Sequence, residues 1–118
     1  MFKYSYLIII SVAITALQAT AQKNTEKIEI LTSAQCEMCK NRIETAMAFE
    51  KGIISSELNL ETKVLTVIYK IGKTTPDKIR IAINKVGYDA DGTPANVKAY
   101  NKLPPCCKKP DDPGHISH

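Results

Sequence analysis

Two pairs of cysteines carry the chemistry that this sequence can offer: Cys36 and Cys39, enclosing Glu37-Met38, and the adjacent Cys106 and Cys107. Two thiols three positions apart can converge on one ion. If a helix starts there, its unsatisfied amides and the positive end of its dipole favour thiolates over thiols. Thiolate ligands select soft ions, Cu(I) first and Hg(II) or Cd(II) with it, over Mg(II) or Ca(II). The spacing alone leaves alternatives open, because Cys-x-x-Cys also serves dithiol exchange and supplies half of many zinc sites. Met38 weighs evenly between a thioether ligand and packing filler. Adjacent cysteines rarely pair with each other, since the ring is strained. Cys106 and Cys107 therefore have three open roles: third or fourth thiolate, cross-link to Cys36 or Cys39, or a separate metal-acquiring tail. His115 and His118, the two histidines, lie near the C-terminus and read as solvated more readily than as ligands. Ahead of residue 106 there is no histidine and no nucleophile with a paired base, so the expectation is a non-enzymatic protein.

Positioning these thiols requires an ordered frame, and the pattern supplies one. Residues 27–32, Lys-Ile-Glu-Ile-Leu-Thr, alternate as a half-buried strand does. From Cys39 to Glu50, Cys39, Ile43, Ala46 and Met47 recur at helical spacing, and Gly52 is a natural stop. Residues 53–60 and 64–71 read as a hairpin, with Leu58, Leu60, Leu65, Val67 and Tyr69 on its buried face. Thr75-Pro76-Asp77 starts a second helix, with Thr75 as N-cap and Pro76 in the first turn, and Ile79, Ala82, Ile83 and Val86 form its inward stripe. A short fourth strand is expected over residues 88–91. The order βαββαβ predicts an α+β, ferredoxin-like sandwich: a four-stranded antiparallel sheet with two helices on one face. Thr93-Pro94 predicts a short C-terminal helix over residues 95–103, and residues 108–118, rich in Pro, Gly and charge, predict a mobile tail.

Placed after the first strand of such a frame, the Cys36/Cys39 loop resembles the heavy-metal-associated domain, the family of copper chaperones, mercury-binding periplasmic proteins and N-terminal modules of metal-exporting ATPases. The resemblance spans residues 27–91 and rests on that loop, Ile43 and Met47, Gly52, the hairpin, and Val86-Gly87-Tyr88-Asp89-Ala90. It implies that Cys36 and Cys39 ligate one metal near the surface, that Tyr88 packs close to it, and that the ion passes to a partner by ligand exchange. Cu(I) is the first expectation, with Hg(II), Zn(II) or Cd(II) as alternatives. The implied partner is a metal-transporting ATPase or another acceptor protein, and the implied state a monomer or a metal-bridged dimer. The sequence departs from the family in having Ser33-Ala34 where Gly-Met is usual, and Ala34 is too small to anchor the loop as that methionine does. The Cys106-Cys107 extension has no counterpart in the minimal domain.

The chain of 118 residues allows one ordinary domain. Lys3, the apolar run over residues 7–17 and Ala19-Thr20-Ala21 have the three parts of a secretory signal, and the run is short for a membrane span. The expected organisation is residues 1–21 as signal peptide, 27–91 as the metal-binding domain and 92–118 as the extension, exported to a periplasm or outside the cell, without stable membrane insertion after cleavage. Without Lys3, 15 basic residues remain against 12 acidic ones, scattered and without interleaved aromatics, so nucleic acid is not an expected partner. Two further readings remain beside the metal carrier: a small secreted interaction domain stapled by disulfides, and a thiol–disulfide oxidoreductase. The exported protein is expected to begin near Gln22, and N-terminal sequencing that found Met1 intact on it would overturn the signal assignment.

Overall fold

Alternating apolar residues build a sheet whose centre is the third strand. In a computed structural model that describes residues 24–116, β1 (Thr25–Leu31), β2 (Ile53–Asn59) and β3 (Val64–Lys70) pair antiparallel in the order β1-β3-β2. The register sets Ile30 and Leu58 on either side of Leu65, and Ile28 opposite Val67. Ile30, Leu58, Leu65, Val67 and Tyr69 thereby share one buried face. Each large aliphatic side chain removed from water there contributes about 2 kcal/mol.

Two helices cover that face. α1 (Glu37–Phe49) buries Cys39, Ile43 and Met47, and α2 (Pro76–Lys85) buries Ile79, Ala82 and Ile83 in the same core. Thr75 caps α2 as its sequence requires, its Oγ1 accepting from the Lys78 N–H at 3.3 Å, with Pro76 in the first turn. Gly52, which follows α1, has φ +84°, and a Cβ there would meet Lys73 Cβ at 2.9 Å, so the turn into β2 needs a glycine.

The expected fourth strand does not form: only Ala90 makes a bridge, to Thr32, beyond the end of β1. Two local features explain this. Asp91 takes a left-handed conformation, φ 51°, which ends any extended run, and Ala90 and Thr93 bond each other in a tight turn. In place of strand pairing, Asp91 grips the end of β1 at both groups of one residue. Its N–H donates to the Leu31 carbonyl at 2.7 Å, and its Oδ1 accepts from the Leu31 N–H at 3.0 Å. Arg80 of α2 bonds Asp91 Oδ2 at 2.8 Å and so ties this clasp to the helix layer.

Beyond the clasp, the short helix is α3 (Val97–Asn101), capped by Asn96 rather than by the expected Thr93. A 3-10 turn over Pro105–Cys107 follows. Residues 108–116 are folded back, against the expectation of a mobile tail. Ile116 N–H bonds the Pro105 carbonyl, His115 Nδ1 lies 2.7 Å from the Lys108 carbonyl, and Tyr100 Oη donates to Asp112 Oδ2 at 2.6 Å. These are specific pairings, seven to twelve residues apart, which composition cannot reveal. The expected signal segment and His118 lie outside the described residues.

Burial acts to raise the Asp91 carboxyl, but the Arg80 guanidinium and the Leu31 N–H outweigh it and hold the group below the usual carboxylate range. Its contribution to stability is therefore complete above about pH 4 and is lost as pH falls through the lower folded value. Asp91→Asn is expected to reduce stability at pH 7 by about 1 kcal/mol or less, because solvent screens the half-exposed pair. Urea denaturation should show the difference from wild type closing below about pH 4; a difference that persists there would refute the role of the charge.

Candidate metal centre

Cys36 is the N-cap of α1, extended at φ −150° and ψ 175°, and its side chain caps no backbone amide. It stands half-buried at the N-terminal end of a thirteen-residue helix. Cys39 lies one turn further on, in line with Ile43 and Met47. Its sulfur is 3.3 Å from that of Cys36, but the residue is completely buried. The helical spacing that brings Cys39 to the site also brings it into the core.

The loop before Cys36 is held by polar contacts. Thr32 Oγ1 donates to the Lys63 carbonyl at 2.9 Å and accepts from the Ala34 N–H at 3.3 Å. Ser33 Oγ accepts from the Asp89 N–H at 2.9 Å, and Lys63 Nζ donates to Gln35 Oε1 at 2.8 Å. Ala34 is fully buried. An anchoring side chain at residue 34 is replaced by hydrogen bonds to the hairpin and to the residue after Tyr88.

The C-terminal extension lays its cysteines over this loop. Cys106 and Cys107 are 5% and 1% exposed and belong to the core, although sequence order puts them outside the sandwich. Each sulfur lies 3.6 Å from that of Cys36, and they are 4.0 Å from each other. All four cysteines are free thiols. Met38, half-exposed, places its sulfur 3.7 Å from that of Cys106, at the rim of the cluster. His115 is engaged with Lys108 and is not among the groups that meet at the cysteines.

Three contacts pin the segment that carries these cysteines, residues 103–112, as a strap. Lys109 pairs with Asp89 at 2.6 Å, Lys108 Nζ donates to the Tyr100 carbonyl at 2.8 Å, and Leu103 is buried. Gly87 makes the approach possible: a Cβ there would lie 3.1 Å from the Ala99 carbonyl group and 3.2 Å from Leu103 Cδ2. In the sequence, Gly87 stands only among the residues that carry the family resemblance. Its role in the close passage of α3 had no local signal.

Tyr88 is fully buried, and among the described residues its hydroxyl has no nitrogen or oxygen partner; the thiols of Cys39 and Cys107 are the polar groups that bear on it. Burial, with those thiols, pushes the phenol above its usual range. Burial likewise pushes the Cys107 thiol up, reinforced by Cys39 and Cys36 against an opposing contribution from Tyr88. An orphaned buried O–H beside all-sulfur donors, with no carboxylate or imidazole among them, is suited to a thiophilic ion: it can donate to a thiolate that metal binding creates.

The heavy-metal-associated domain family matches residues 33–89. The copper chaperone CopZ of Staphylococcus epidermidis is 37% identical over 65 residues, covering 55% of this chain and 96% of that protein. A copper-exporting P-type ATPase of Staphylococcus aureus is 35% identical over 78 residues, 65% of this chain but 9% of the ATPase. Among solved structures, the N-terminal domain of a potential copper-translocating P-type ATPase from Bacillus subtilis, in the Cu(I)-loaded state, is similar with a TM-score of 0.54 at 28% identity. That match covers 57% of this chain and 85% of that one.

Gly87→Ala is expected to push α3 and the strap off the sandwich, at a cost of about 1 kcal/mol or more, since φ +104° is strained for any side chain. Alkylation by iodoacetamide, followed by mass spectrometry, should then label Cys106 and Cys107 faster than in wild type. Unchanged labelling would show that Gly87 does not govern the closure.

Proposed function

The chain belongs to the heavy-metal-associated domain family, and on that premise we propose that it is an exported carrier of Cu(I), held by Cys36 and Cys39 and delivered to a metal-transporting ATPase or another acceptor protein. The family is one of metal-binding, non-enzymatic domains, and the fold is its ferredoxin-like one, here with three strands, two main helices and a short C-terminal helix among the described residues. The observation that carries the proposal is the meeting of free thiols at the N-terminus of α1 around Cys36. The copper chaperone CopZ, matched over nearly its whole length, supports copper over Hg(II), Zn(II) or Cd(II), and the copper-exporting ATPase supports the class of partner. Export rests on the secretory pattern of residues 1–21.

Transfer is ligand exchange. An incoming thiolate of the acceptor bonds the ion, one carrier thiolate leaves, and a second exchange completes the transfer without change of oxidation state. Cys36 suits the first contact because it alone of the four cysteines is not fully enclosed, and Cys39 behind it keeps hold of the ion meanwhile. Tyr88, bearing on Cys39 and Cys107, offers its O–H to the charge left on sulfur.

Cys36→Ser with Cys39→Ser is expected to weaken Cu(I) binding by more than about 100-fold, beyond the 10–100-fold loss typical of a supporting residue. Competition against a chromophoric Cu(I) chelator measures it, with circular dichroism as the control for folding. Unchanged affinity in the folded double variant would refute the carrier.

A further inference from the structure

We propose that Cys36, Cys106 and Cys107 form a three-thiolate centre for one soft ion, a closed state in which the C-terminal strap takes the place that an acceptor's thiolates would occupy. The inference rests on the reading of Cys36 as a metal ligand and adds to it a different ligand set. The three sulfurs stand 3.6, 3.6 and 4.0 Å apart. The centre of such a triangle lies about 2.2 Å from each corner, close to the ~2.3 Å of a zinc–thiolate bond, so an ion in the plane of the sulfurs meets all three without rearrangement. Cys39 touches Cys36 at 3.3 Å and bears on Cys107, but the three thiols that all lie within 4.8 Å of one another are those of Cys36, Cys106 and Cys107.

Two overlapping sites result, with Cys36 common to both. In one, the ion is held by Cys36 and Cys39 and is open to exchange. In the other, it is held by Cys36, Cys106 and Cys107 and is enclosed, because both strap cysteines are buried. Passage between the two replaces the Cys106 and Cys107 thiolates by that of Cys39, the ion keeping its charge and Cys36 its bond. Thiols entering the ligand set lose their protons to solvent, and those leaving it regain them. The clasp of Lys109 on Asp89 and of Asp112 on Tyr100 holds the enclosed arrangement, and an acceptor must lift the strap to reach the ion. The strap makes the protein one that retains its cargo until docking.

The full chain, loaded anaerobically with one equivalent of Cu(I), tests this by X-ray absorption at the copper edge. Three sulfur neighbours are expected in wild type and two in the variant Cys106→Ser, Cys107→Ser, with at least tenfold weaker Cu(I) affinity in that variant by chelator competition. Two sulfurs in wild type, or undiminished affinity in the variant, overturns the three-thiolate centre and leaves the carrier function standing. Failure of wild type to bind Cu(I) overturns both. Should the variant not fold, the sulfur count in wild type decides.

Discussion

Everything at the functional end of this molecule hangs on the position of one sulfur, that of Cys36 at the N-cap of α1. An N-cap residue is extended, while the residues that follow are helical, and from this position the half-buried Cys36 packs against the edge of the core. One position earlier, the thiol would belong to the loop that Thr32 and Ser33 hold; within the first turn, it would sink like that of Cys39. From the cap, that sulfur meets the core cysteine Cys39 on one side and both strap cysteines on the other. The sheet, the hairpin contacts to the loop and the Asp91 clasp all serve to fix where that cap stands.

The elements that obey local rules were legible in the sequence. Alternation marked β1 and the hairpin, and helical spacing marked α1 through Cys39, Ile43 and Met47. The Thr75-Pro76-Asp77 cap gave the start of α2 to the residue. The fourth strand was not legible, because one residue, Asp91, can either extend a strand or turn left-handed and offer its carboxylate. The choice depends on Leu31 and Arg80, 60 and 11 residues away. Tail composition similarly pointed to mobility, while its fixing contacts, Tyr100 with Asp112 and Lys109 with Asp89, are pairs that no short window contains.

The thiols were found from their spacing, but their arrangement was not. Cys106 and Cys107 stood open between ligand, cross-link and tail, since adjacency says nothing of where the pair is carried. What carries it is the sequence of a tight passage at Gly87, a capped turn of helix and the buried Leu103. Burial of Cys39 was implicit in its helical register with Ile43, and reading that register through to its energetic meaning would have assigned it to core and site together. The anchoring methionine usual in the family is dispensable here because hydrogen bonds from Thr32, Ser33 and Lys63 fix the loop instead.

The meeting of Cys36 with Cys106 has a topological consequence. The two are 70 residues apart in sequence, so anything that joined their sulfurs would close most of the domain into a single ring. An unfolded chain so closed loses configurational freedom worth about 4 kcal/mol by the loop-entropy relation for covalent links of this span. A bound ion shared between α1 and the 3-10 turn would thus act as a reversible staple of the entire fold. Heat resistance of the protein and occupancy of its thiols would then rise and fall together.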